Sequence, residues 1–76
     1  MRALALFVLL NLNTASIQEL DELPGIGPVI ARRIVEFREK RNGFRRVEEL
    51  LAIQGISERI WLELRDRVEV AEARDE

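Results

Sequence analysis

The stretch Pro24-Gly25-Ile26-Gly27-Pro28-Val29 has the residue types and spacing to hold a phosphate with backbone groups alone. Pro24 cannot continue a helix and pushes Leu23 out of the α region, so an upstream helix stops there. Gly25 takes φ > 0 without penalty, and Gly27 leaves its backbone uncovered by a side chain. Pro28 suits the first position of a helix, where its missing N–H is no loss. The N–H groups of Gly25, Gly27 and Val29 then face outward at the positive end of that helix, which is an anion site. Arg32 and Arg33 follow one turn later and close over it. The simpler alternative is that the glycines only permit a tight turn between two helices. A turn needs one glycine, whereas two flanking an apolar residue is what close backbone approach requires. Ile26, apolar in a turn, is a core plug.

The elements that must position this stretch are short. Ser16 with Glu19 forms a capping box, so a first helix spans residues 17–23 with Ile17, Leu20 and Leu23 on one face. The second begins at Pro28, turns Ile30, Ile34 and Phe37 inward and ends near Arg41, where Asn42-Gly43 supplies a left-handed stop. Phe44 is a core plug beneath that loop.

Seventy-six residues make one small domain. Without Cys there is no disulfide or thiolate metal site, and without His the commonest general base and metal ligand are missing. A hydrophobic content of 47% with 34% charged residues describes a folded, helix-rich domain. The net charge of −2 speaks against a nucleic-acid partner, but its distribution speaks for one. Arg32, Arg33, Arg38, Lys40, Arg41, Arg45 and Arg46 crowd one stretch, opposed there by Glu36 and Glu39, while the tail is acidic. Exposed charges beyond about 8 Å are screened at physiological salt, so the local surface governs phosphate contact. Eleven of the twelve basic residues are Arg, which grips phosphate oxygens in a bidentate way. For each Arg the alternative is a solvated helix face.

The order Leu23-Pro24-Gly25-Ile26-Gly27-Pro28, with Ala31 and Ile34 downstream, resembles the helix-hairpin-helix motif of non-sequence-specific DNA-binding proteins. With Asn11-Leu12-Asn13-Thr14-Ala15-Ser16 before it and Phe44, Val47, Glu48, Glu49, Leu50 and Leu51 after it, the chain resembles the DNA-binding domain of the ComEA competence family. That similarity covers roughly residues 11–70. It implies an all-α fold of tandem helix-hairpin-helix units, a small SAM-domain-like bundle.

A shift of 30 residues places Ile17 on Val47, Glu19 on Glu49, Leu20 on Leu50, Leu23 on Ile53, Gly25 on Gly55, Ile26 on Ile56, Ile30 on Ile60 and Ile34 on Leu64. This is an internal duplication in which neither half buries its apolar face alone. A third helix over residues 47–53 and a fourth over residues 58–68 follow. In proteins resembling this one, two such units pack about a pseudo-two-fold axis and set their hairpins against the two strands of a duplex. The second copy departs from the first: Gly27 becomes Ser57, Pro28 Glu58, Ala31 Trp61 and Ser16 Arg46. Ser57 is a good N-cap, so its hydroxyl either occupies an N–H that a phosphate would take or donates to a phosphate oxygen itself. Glu58 suits the helix dipole and repels DNA. Trp61 is a core residue. Arg46 stands where a cap would be and is kept there to reach DNA.

The DNA-binding set expected is Gly25, Ile26, Gly27, Val29, Arg32 and Arg33 at the first hairpin, and Gly55, Ile56, Ser57 and Arg59 at a weaker second one. Lys40, Arg41, Arg45 and Arg46 add contacts near the groove edge. No base-reading constellation is visible, so double-stranded DNA would be bound independently of sequence. The acidic pairs Asp21/Glu22 and Glu48/Glu49 are adjacent and splay across their helices. No enzyme activity, cofactor or small-molecule substrate is therefore expected. The resemblance implies DNA uptake outside the cytoplasmic membrane, with membrane-associated uptake proteins as partners. Residues 1–10 form an apolar segment too short to span a bilayer, which takes about 20 residues. It fits a signal or anchor remnant, or an extension packed on the domain at residues 11–70; residues 71–76 are an acidic tail. From a different class, the same fold resembles the extrinsic photosystem II subunit, a structural and protein-binding module, and the net acidity, Ser57 and Glu58 favour that alternative.

Overall fold

The computed structural model describes residues 9–71. In chain order the elements are β1 (Leu10–Asn11), α1 (Ile17–Asp21), α2 (Pro28–Lys40), a 3-10 helix η1 (Val47–Ala52), α3 (Glu58–Leu64) and β2 (Val68–Glu69). Most of the ordered structure is helical, as the repeating apolar pattern requires. Residues 1–8 of the apolar segment at 1–10, with its signal or anchor reading, and residues 72–76 of the acidic tail at 71–76 lie outside the described residues.

The capping box forms as its spacing dictates. The Ser16 N–H donates to Glu19 Oε1 at 2.9 Å, and the Glu19 N–H donates to Ser16 Oγ at 3.1 Å. The helix is shorter than residues 17–23 and stops at Asp21. Ahead of Pro24 the chain tightens, with the Glu22 and Leu23 amides donating three residues back to Glu19 and Leu20. Within five residues only Leu20 reaches the core; Leu23 is half-buried, and Ile17 at the first position stays 38% exposed instead of facing inward. Helix α2 runs from Pro28 to Lys40 and buries Ala31 and Ile34. It ends on Asn42 (φ +60°) and Gly43 (φ +102°), whose N–H donates to the Arg38 carbonyl at 2.7 Å. This six-to-one bond is a Schellman stop. Phe44 then turns under the helix, 2% exposed, its ring 4.9 Å from that of Phe37.

Two expected helices differ. Residues 47–52 form a 3-10 helix instead of an α-helix. The preceding Arg46 gives no side-chain cap, and the Trp61 indole N–H holds the Val47 carbonyl at 3.3 Å, so the segment is pinned at its start and winds more tightly than an α-helix. The fourth helix ends at Leu64 and not at residue 68. The Arg67 N–H closes back on the Leu64 carbonyl, and Val68 pairs in parallel with Leu10. The Leu10 N–H donates to the Arg67 carbonyl and the Leu12 N–H to the Glu69 carbonyl, both at 2.9 Å. Continuing the helix would leave that N-terminal segment without a backbone partner. The alternation of Val68 inside, Glu69 outside and Val70 half-buried is a strand pattern.

One core joins everything: Leu12, Leu20, Ile34, Leu50 and Leu64 are fully enclosed, with Ile26 and Ile56 entering it from the two turns. Each side chain of this size contributes about 1.5–3 kcal/mol on burial. The hairpin turns are thus nailed to the core from below and free above.

Candidate nucleic-acid interface

The first turn is built on one backbone bond, from the Ile26 N–H to the Leu23 carbonyl at 3.1 Å. Gly25 makes it possible with φ +79°. The second turn repeats it: the Ile56 N–H reaches the Ile53 carbonyl at 3.1 Å, and Gly55 has φ +105°. Both isoleucines are 5% exposed.

The two turns sit against each other's following helix. A Cβ placed on Gly25 would come within 3.0 Å of Ile60 Cγ2, and one on Gly55 within 2.8 Å of Ile30 Cδ1. Ile30 and Ile60 are themselves related by the 30-residue shift, so the contacts are reciprocal. Arg33 adds a link with no counterpart: its Nη1 donates to the Gln54 carbonyl at 2.8 Å. The shift puts Glu63 and Pro24 at the matching positions, and a carboxylate cannot donate to a carbonyl.

Gly27 behaves differently from the other hairpin glycine. Its φ of −122° and ψ of −170° are extended values open to any residue, and nothing lies within 4 Å of where a Cβ would stand. Neither backbone nor packing calls for glycine there. It is the N-cap of α2 and provides no side-chain cap. The amides of Gly25, Gly27 and Val29 make no hydrogen bond among the described residues. Gly25 and Val29 are exposed and Gly27 is half-exposed, so the start of α2 presents donors beside open space at the positive end of a 13-residue helix.

The start of α3 is closed by comparison. The Ser57 hydroxyl accepts the Ile60 N–H at 3.2 Å, taking one donor, and Glu58 follows in the first turn. Gly55, Ser57 and Arg59 are exposed and Ile56 is buried. Trp61 packs on the core as expected, half-buried, with the Arg65 guanidinium 5.5 Å from its ring centroid.

The basic stretch is not one patch. Arg32 is exposed and Arg33 half-buried beside the hairpins. Lys40 and Arg41 are exposed at the far end of α2, about 12 Å along the helix from Arg32 at about 1.5 Å per residue, and Arg45 and Arg46 are exposed in the segment that follows it. Arg41 lies 4.8 Å from the Phe37 ring centroid. Arg38 is structural: its Nη1 donates to the Leu12 and Ala15 carbonyls at 2.7 and 2.9 Å. Sequence reasoning missed Asn11 and Asn13 as a latch. Asn13 Nδ2 donates to the Phe44 and Ala71 carbonyls, Asn13 Oδ1 accepts the Phe44 N–H at 2.6 Å, and Asn11 Oδ1 accepts the Asn13 and Ala71 N–H groups. Their alternation with Leu10 and Leu12 was the available signal.

Among the described residues no group of three or more His, Cys, Asp or Glu is placed to hold a metal ion. No helix among them is long and apolar enough to cross a membrane.

The family described as "Helix-hairpin-helix motif" matches residues 7–69, the span that contains both turns. This chain belongs to the helix-hairpin-helix family. Among its relatives, ComE operon protein 1 of Bacillus subtilis is 32% identical over 62 residues, which cover 82% of this chain and 30% of that protein. Endonuclease/exonuclease/phosphatase family domain-containing protein 1 of Homo sapiens is 49% identical over 47 residues, 62% of this chain and 8% of that protein. An uncharacterized protein of Haemophilus influenzae is 43% identical over 60 residues, covering 78% of this chain and 54% of that protein. The helix-hairpin-helix chain thus spans 8% of the length of the animal relatives it matches and 30% of the Bacillus one.

Proposed function

We propose that this helix-hairpin-helix chain binds double-stranded DNA through its phosphates, without reading sequence, and serves DNA uptake in competence. The carrying observation is Gly27: a glycine that neither conformation nor packing demands, at the uncapped start of α2, with room above it. Close approach of a ligand to the backbone is what such a glycine serves. The amides of Gly25, Gly27 and Val29 hold one phosphate, with Arg32 over it, and the second hairpin, through Gly55, Ser57 and Arg59, holds the other strand less firmly. The reciprocal seating of Gly25 on Ile60 and Gly55 on Ile30 supports a pseudo-two-fold pair of turns. Lys40 and Arg41 at the far end of α2, and Arg45 and Arg46 in the segment after it, add contacts farther along the backbone.

The likeness to the Bacillus ComE operon protein supports the competence setting, a membrane-associated or extracytoplasmic location and uptake proteins as partners. The chain acts as a binding module and not as an enzyme: its match to the endonuclease/exonuclease/phosphatase-domain protein covers 8% of that protein's length. The domain occupies residues 11–70, with residue 10 already paired to it.

Fluorescence anisotropy with a random-sequence duplex tests this. Affinity should fall with salt at a log–log slope of about −0.9 per phosphate neutralised, whatever the sequence. Failure to bind at low salt would favour the protein-interaction reading, for which the Ser57 cap on α3 is the supporting observation.

A further inference from the structure

The geometry points to Arg33 as a positioning residue that fixes the second hairpin against α2 and so sets the separation of the two turns; this rests on the DNA-binding reading above. Arg33 is half-buried, and its Nη1 donates to the Gln54 carbonyl at 2.8 Å, in the residue next to Gly55. Ile30 fills the space left by the absent Gly55 side chain and the guanidinium lies at its edge: a Cβ there would stand 2.8 Å from Ile30 Cδ1 and 3.4 Å from Arg33 Nη1. One residue of α2 packs in that space and another donates to the turn's carbonyl, so the second turn is held by both a contact and a directional bond. On the other side Ile60 packs against Gly25, but Glu63 stands in place of Arg33 and has no donor to offer.

The link therefore exists once, and the register between the turns depends on it. A bond from a charged donor is stronger and more directional than an apolar contact, which permits sliding. Arg32, adjacent in sequence and exposed, is left as the guanidinium for phosphate. The pair divides its work: Arg32 faces the ligand and Arg33 the protein.

The test compares the wild-type chain with Arg33→Met and Arg33→Lys, first without DNA. Amide chemical shifts and residual dipolar couplings report the second turn and the α2–α3 orientation. In R33M the amides of residues 54–57 shift most and α3 reorients against α2, with a smaller change at residues 25–27, where Ile60 of α3 seats on Gly25. R33K, whose ammonium still donates to a carbonyl, keeps the wild-type arrangement. On a random-sequence duplex R33M binds about tenfold more weakly and R33K stays within about threefold of wild type. An R33M chain whose second-turn amides and α2–α3 orientation match wild type overturns the proposal. If its affinity nevertheless falls, Arg33 is a phosphate contact instead. A wild-type chain that binds no duplex defeats the DNA reading alone, because the DNA-free measurement still decides whether Arg33 holds the turn.

Discussion

Replacing Gly27 by Asp separates folding from binding at one atom position. Gly27 is the N-cap of α2, with φ and ψ that Asp adopts freely and nothing within 4 Å of its missing Cβ. Asp is among the best N-cap residues and gains a few tenths of a kcal/mol over Gly, so the melting midpoint should hold or rise by roughly 1–4 °C. The carboxylate would accept the N–H of Val29 or Ile30, the donors assigned to phosphate. It would also repel the phosphate: at about 4 Å the cost is about 1 kcal/mol in bulk water and about 4 kcal/mol at a surface dielectric near 20. That range corresponds to a loss of about fivefold to about a thousandfold in affinity, steepest at low salt. Thermal melts by circular dichroism and anisotropy titrations at two salt concentrations measure both sides. A folded Gly27→Asp chain with wild-type affinity refutes the phosphate cradle. An unfolded one refutes the claim that Gly27 is dispensable to the fold.

The other glycines should respond oppositely. Gly25→Ala and Gly55→Ala force a side chain into φ +79° and +105° and toward Ile60 and Ile30, costing about 1–3 kcal/mol each in a denaturant titration. Asn13→Ala removes the acceptor of the Phe44 N–H and the donor to the Phe44 and Ala71 carbonyls; a loss of about 1–3 kcal/mol and faster exchange of the Phe44 amide are expected. Arg32→Met should lower affinity and reduce the salt slope by about 0.9 while stability moves by less than about 0.5 kcal/mol. Arg38→Met should do the reverse, destabilising by about 1–3 kcal/mol as the Leu12 and Ala15 carbonyls lose their donor, with the affinity of the folded chain unchanged.

Local chemistry was legible wherever a residue's conformation is decided by its immediate neighbours. Pro28 opened α2, Asn42-Gly43 stopped it, and Ser16 with Glu19 capped α1, because each acts within one turn of backbone, whereas α1 stopped at Asp21, short of the limit that Pro24 sets. Ile26 reads as a core plug because it is apolar between turn residues, a local pattern, and its repeat partner Ile56 is buried in the same way. Tertiary structure decided what depends on partners distant in sequence. The α3 helix ends at Leu64 because Leu10 waits to pair with Val68, and residues 47–52 tighten because Trp61 holds Val47 from outside the segment. It also divided arginines that the sequence makes look alike. Arg33 reaches Gln54, Arg38 secures the N-terminal loop, and Arg32 stays exposed, because the direction in which a helix points each side chain is fixed by what packs against it. A linear sequence carries the charge of a guanidinium; only the fold supplies the carbonyl that claims it.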